Sequence, residues 1–353
     1  METLNDRIAL LGGSKVAFVG LTRGAGKTTA IRHVISGLHE RDVPFGVAAA
    51  GRRDSDLEAA GGPACLTLAL PAGSVVATTA PVLAQSSAIL ETVERVDCSS
   101  STGQVMVSRV REPGEVEVVG PGTGPDLRRT VEAIQRFIRG PILVEGSLAR
   151  KGFSAPGVAD HIILAVGAGL SPVLDRLIPA VRYYLDLFGL PLVPAAAAAL
   201  YEKAQEESRC ILTGQDWTPL DSFHWQVRDN APSFLGRRDM KAANAIIPQS
   251  VTDELVIPLL RDEMGICLVV RDPMRNALSP VYHAAWEKRG GGVKVVHRPQ
   301  VLALVANPVN PTGPDADPKE LLETLQEGLG GVPVFDVVQE MQAAQPKKRW
   351  FGR

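Results

Sequence analysis

The run Val16-Ala17-Phe18-Val19-Gly20-Leu21-Thr22-Arg23-Gly24-Ala25-Gly26-Lys27-Thr28-Thr29 constrains this chain more than any other stretch. Apolar residues stop at Gly20 and a glycine-containing loop follows. They return at Ala30, Ile31, Val34, Ile35 and Leu38, one face at helical spacing. Strand, loop and helix in that order, with Gly-Lys-Thr at the helix start, form a phosphate-binding loop.

The residue types follow from the chemistry. Gly24 and Gly26 let backbone N–H groups turn inward where a side chain would block a phosphate. The helix starting near Lys27 directs its positive dipole end to the same place. Arg23, Gly24, Ala25, Gly26, Lys27, Thr28 and Thr29 are the candidate nucleotide-binding residues. Lys27 is expected on the β- and γ-phosphate oxygens and the Thr28 hydroxyl on Mg2+. A glycine five positions before Gly26 is usual; here that position is Leu21 and the glycine is Gly20. This longer loop resembles that of dethiobiotin-synthetase-like NTPases more than that of small GTPases.

At 353 residues the chain is expected to hold two domains. An apolar content of 45% reads as soluble and globular, and 37 basic against 39 acidic residues suggests no nucleic-acid partner. No apolar run approaches a membrane span, and the polar start lacks a secretory signal core. Cys65, Cys98, Cys210 and Cys267 are scattered without a Cys-x-x-Cys pair, as in a reduced, cytoplasmic protein.

Strand–helix alternation over residues 1–195 predicts a doubly wound, mostly parallel sheet of the α/β class. A β-rich insertion is expected at about 66–119, with Arg111-Glu112-Pro113-Gly114 as a hairpin turn. Residues 196–244, with Trp217, Phe223, His224, Trp225 and Phe234, lack a clear period and read as linker or lid. A second, smaller α/β domain is expected over 245–340 and a basic tail over 341–353.

Ligands of a parallel sheet bind at the carboxyl ends of its strands. The loops at Gly20–Thr28, Gly51–Asp56, after Glu145, and Gly167–Ser171 are therefore expected along one edge. Glu145 ends an apolar strand, where an acid would hold Mg2+ through water or orient the attacking water. Asp54 or Asp56 would supply a second carboxylate, with Asp54 preferred. The candidate catalytic residues are thus Lys27, Glu145 and Asp54, and the candidate metal ligands Thr28, Glu145 and Asp54. Gly167–Ser171 reads as a turn. Asn307-Pro308-Val309-Asn310-Pro311-Thr312-Gly313 reads as a rim loop of the second domain, its prolines and glycine explained by loop geometry. The six histidines show no metal-ligand spacing. No Lys-x-Asp follows a strand, so adenine is assigned by elimination and ATP with Mg2+ is the expected ligand pair.

In the order of its motifs the chain resembles the ATPase subunit of the reactivase for adenosylcobalamin-dependent lysine 5,6-aminomutase, a P-loop NTPase family also found beside ornithine aminomutase. The resemblance is carried by Val19–Thr29, Gly51-Arg52-Arg53-Asp54, Leu70–Thr78, Glu145–Lys151, Val166–Ser171, Val270-Arg271-Asp272-Pro273 and Asn307–Gly313. It implies an ATPase that helps exchange damaged for intact adenosylcobalamin, with the aminomutase and a MutS-like companion subunit as partners. The alternatives are a dethiobiotin-synthetase-like ATP-dependent ligase or kinase and a non-catalytic nucleotide-binding adaptor.

Overall fold

The computed structural model describes residues 2–22, 24–51, 66–147, 157–171, 173–226, 230–311 and 313–344, with 147, 174, 175 and 344 as backbone only. The chain divides into two compact units, residues 1–182 with 299–353, and residues 183–298.

The first unit begins with α1 (Leu4–Ala9), whose cap residue Thr3 exchanges hydrogen bonds with Asp6. β1 (Lys15–Gly20), α2 (Lys27–Glu40) and β2 (Gly46–Ala49) follow. Next come β3 (Leu66–Leu70), β4 (Val75–Thr79), α3 (Ala80–Leu83), β5 (Ile89–Ser100), β6 (Gly103–Glu112) and β7 (Gly114–Val118). α4 (Gly124–Gln135), β8 (Ile142–Ser147) and β9 (His161–Gly167) complete this pass, and α5 (Leu174–Gly189) carries the chain across the division at residue 182. The second unit contains α6 (Ala195–Glu206), β10 (Arg209–Thr213), β11 (Pro219–His224), α7 (Ala231–Leu235), β12 (Asn244–Ile246), β13 (Val251–Thr252) and α8 (Asp253–Arg261). It ends with β14 (Cys267–Val270), β15 (Asn276–Ala277), α9 (Pro280–Lys288) and β16 (Gly292–Val295). The chain returns to the first unit with β17 (Gln300–Asn307), α10 (Pro318–Gly328), β18 (Val334–Phe335) and α11 (Val337–Ala344).

The first unit is built on a nine-stranded sheet of order β18-β17-β9-β1-β8-β2-β4-β6-β5. It is parallel from β18 to β4; β6 runs antiparallel to β4, and β5 antiparallel to β6. The central strands are apolar on both faces, as a sheet covered on both sides requires: Val16–Val19, Leu143 and Ile162–Val166 are buried. α2 buries Ala30, Ile31, Val34, Ile35 and Leu38, the face its spacing predicts. A large, mostly parallel α/β sheet is thus present.

Three expectations differ from what is found. β7 pairs with β3 rather than β6, so Arg111–Gly114 carries the chain from one sheet to another. Pro113 has no N–H to continue a ladder, which suits a change of sheet as well as a turn. The tight hairpin lies instead at Ser100–Gly103, where Gly103 has φ 131°.

Residues 196–244 form α6, β10, β11 and α7 of the second unit, not a linker. There Phe223 and Phe234 meet edge-on at 5.1 Å. The second unit holds a five-stranded sheet of order β11-β10-β12-β14-β16, parallel only from β12 to β16. The expected domain over 245–340 is divided: β16 joins this sheet, whereas β17 and β18 join the first. An apolar run shows that a strand is buried, not which sheet buries it. No described helix is long and apolar enough to cross a membrane.

Candidate functional site

Strand register defines one edge of the first sheet. Phe18 lies opposite Glu145 and Gly20 opposite Ser147 across β1 and β8; Gly20 lies opposite Ala165 across β1 and β9. β17 places Asn307 opposite Gly167. The loops after β1, β8, β9 and β17 therefore leave from the same carboxyl edge.

The loop after β1 is anchored at its start by Leu21, whose N–H donates to Ala165 O at 3.0 Å. Gly24 (φ 70°) and Gly26 (φ 93°) are left-handed, and Gly26 is the N-cap of α2 with no side-chain cap. Space is also tight for side chains here. A Cβ on Gly24 would meet Pro311 at 3.0 Å, one on Gly26 would meet Asn307 Cβ at 3.0 Å, and one on Gly20 would crowd the Lys27 stem at 3.1 Å. Alternating left-handed backbone before an uncapped helix start is the geometry that gathers N–H groups around an anion.

The charged pair of the site comes from neighbouring elements. Lys27 Nζ donates to Glu145 Oε1 at 2.5 Å and to the Gly146 carbonyl at 2.8 Å. Glu145 is only 6% exposed. A carboxylate this far from water needs a partner, and the ammonium supplies it. Ala25 is buried against Gly167, whose added Cβ would stand 3.0 Å from Ala25 Cα. Thr28 is half-buried and Thr29 exposed on the first turn of α2. The shielded Thr22 hydroxyl oxygen has no hydrogen-bond partner among the described residues. Arg23, Asp54 and Asp56 lie outside the described residues.

Gly167–Ser171 is a turn, with a single 3-10 turn at Ala168–Leu170. His33 is structural: its Nε2 lies 2.7 Å from Glu340 Oε2 and 3.2 Å from Asn5 Nδ2. Among the described residues, no cluster of three or more His, Cys, Asp or Glu could hold a metal. A cation here would be shared between a ligand's phosphates and one or two protein oxygens, for which the Thr28 hydroxyl and the Glu145 carboxylate suit a hard ion.

The part of this edge that sequence reasoning missed is the loop after β17. Asn307 Nδ2 donates to Gly24 O at 2.7 Å, and Pro311 abuts Gly24. The available signal was the unbroken apolar run Val301–Ala306 ending at an asparagine. Such a run suits a central parallel strand, whose following loop must open on the ligand edge.

No protein-family model and no curated protein matches the chain. Among solved structures, that of pNOB8 ParA bound to nonspecific DNA matches at 11% identity and a TM-score of 0.26, covering 65% of this chain and 76% of that one. That protein was bound to DNA, contrary to what was expected of this chain, and the expectation that nucleic acid is not a partner is withdrawn. A net charge near zero sums over the whole chain and excludes no local patch, so it gives no ground for the exclusion. None of these comparisons names an aminomutase or a MutS-type subunit.

Proposed function

We propose that the chain is a nucleotide-binding ATPase that takes up ATP with Mg2+ at the loop after β1. The supporting observation is the pair of left-handed glycines before α2, with the Lys27 ammonium 2.5 Å from Glu145. Arg23, Gly24, Ala25, Gly26 and Thr29 would surround the phosphates, with backbone N–H groups donating to their oxygens. Lys27 would exchange its carboxylate partner for phosphate oxygens. That exchange uncovers Glu145 only when the site is filled, so the acid becomes available together with its task. Thr28, Glu145 and Asp54 would hold the cation, and Glu145 or Asp54 would orient the attacking water. Mg2+, when bound, neutralises charge developing on the β- and γ-phosphate oxygens.

Lys27→Ala tests the proposal by calorimetric ATP titration and phosphate release. Affinity and turnover should both fall by about 100-fold or more, the scale for a group that stabilises transferring phosphate; unchanged values remove the mechanism.

A finer role, release of damaged adenosylcobalamin so that intact cofactor can enter, is supported by the motif order alone. Its mechanism would be a two-state element biased by the γ-phosphate. ATP-dependent release of hydroxocobalamin from an inactivated adenosylcobalamin enzyme tests it; absence of release at saturating ATP removes this role and leaves nucleotide binding standing.

A further inference from the structure

We propose that Asn307 is a positioning residue for the phosphate loop, holding the Gly24 carbonyl outward so that the loop's N–H groups face the bound polyphosphate. This rests on the phosphate-loop reading above. The Asn307 amide is fixed at both ends: Nδ2 donates to Gly24 O at 2.7 Å while Oδ1 accepts from Val309 N at 3.3 Å. Its backbone is set by β17, where it pairs with Gly167.

The residues after it are braced rather than loose. Ala316 N donates to Pro308 O at 2.9 Å, and Asn310 N donates to Asp315 Oδ1 at 2.8 Å. That closed loop presses Pro311 toward both Gly24 and Gly169, at 3.0 and 3.4 Å from where a Cβ on each would stand. Neighbouring N–H and C=O groups of a left-handed turn point to opposite sides, so tying one carbonyl orients the amides beside it. A donor aimed at Gly24 O therefore pre-arranges the anion site before ligand arrives, which lowers the ordering needed on binding.

Asn307→Asp tests this, because it keeps the shape and removes the donor; Asn307→Ala is the second variant should the new carboxylate disturb folding. Hydrogen exchange is measured over residues 20–28 of the ligand-free chain, with β8 and α4 as internal references. Mg-ATP and Mg-tripolyphosphate are then titrated by calorimetry. Exchange should quicken over 20–28 alone, and both ligands should weaken by the same factor, about fivefold to tenfold for one hydrogen bond. Unchanged exchange in both variants overturns the proposal. So does weakened ATP with unchanged tripolyphosphate, which would make Asn307 a contact to the nucleoside instead. If the native chain binds neither ligand, the ATPase reading fails, and exchange over 20–28 alone decides the role of Asn307.

Discussion

The Lys27–Glu145 pair of the first unit and the Arg237–Asp221 pair of the second have the same N–O separation, 2.5 Å, in surroundings that differ in kind. Arg237 is held from several directions. Its guanidinium lies 4.8 Å from the centre of the Phe223 ring and donates to Ser233 O at 3.0 Å, and Phe223 is locked edge-on against Phe234. The Lys27 ammonium is held by one carboxylate and one carbonyl at the end of a flexible stem. A planar guanidinium on an aromatic face is a fixture, whereas a point charge on four methylenes can change partner. The length of an ion pair thus says little about its role; what else the cation touches says more.

Left-handed residues repeat the contrast. In the second unit Ser208, Trp217, Lys241 and Glu263 have positive φ and carry side chains. Around the phosphate loop the left-handed positions are glycines, and a Cβ there would also stand 3.0 Å from Pro311 or Asn307, which would have to give by a few tenths of an ångström. Strain alone costs about 1–2 kcal/mol per residue; at Gly24 and Gly26 the displacement of a neighbouring side chain adds to it.

The sharpest way to break the comparison is Glu145→Gln, which keeps an acceptor for Lys27 and removes the charge. If the pair is exchangeable and Glu145 acts on water, ATP turnover should fall by about 100-fold or more while ATP affinity does not weaken. Unaltered turnover in a phosphate-release assay would make the pair a fixture like that of Arg237. The converse variant, Arg237→Ala, should lower the unfolding free energy of the second unit by about 1–2 kcal/mol, the sum of a cation–π contact and a half-exposed ion pair. Urea unfolding followed through Trp217, Trp225 and Trp286 reads this directly, and ATP affinity should stay at the native value.

Gly290 sharpens the second contrast. It has φ 83° and nothing within 4 Å of an added Cβ. Gly290→Ala should therefore lose only the backbone term, about 1 kcal/mol by urea unfolding. Gly26→Ala must in addition push Asn307 aside and should weaken ATP binding more than it lowers stability. Equal effects of the two on stability alone would mean that Asn307 yields freely.

These contrasts also mark how far the sequence was legible. The loop before α2 and the buried face of α2 carry their signals locally, in glycine placement and helical period, and the structure has them where expected. Glu145 was readable as an acid near the end of an apolar strand, although β8 runs on to Ser147. Its contact with Lys27 was not, since that depends on the register that sets Phe18 opposite it. β16 and β17 are both strands close together in sequence, yet they belong to different sheets, because pairing is a property of the partner rather than of the strand. Assigning β17 to the wrong sheet is what hid Asn307 from the site. Likewise Pro113-Gly114 marked where β6 ends, but the hairpin read there is absent and the next strand pairs in another sheet.

The smallest expected effect concerns the fixture itself. Hydrogen bonds from the Arg237 side chain and then the Ser222 amide hold Asp221 below its ordinary pKa of 3.8. The folded chain therefore binds this proton less readily than the unfolded chain. The pair's contribution is complete above about pH 4 and is lost as pH falls through the lowered pKa. Asp221→Asn has no such window. It should be less stable than the native second unit by about 0.5 kcal/mol near neutral pH, the scale of a partly exposed pair, and the difference should vanish in acid. Urea midpoints taken from about pH 6 down to about pH 2 test the sign as well as the size. No gap near neutral pH would mean that Arg237 is held by Phe223 and Ser233 without help from the carboxylate, and a gap that widened in acid would mean that folding raises the Asp221 pKa instead.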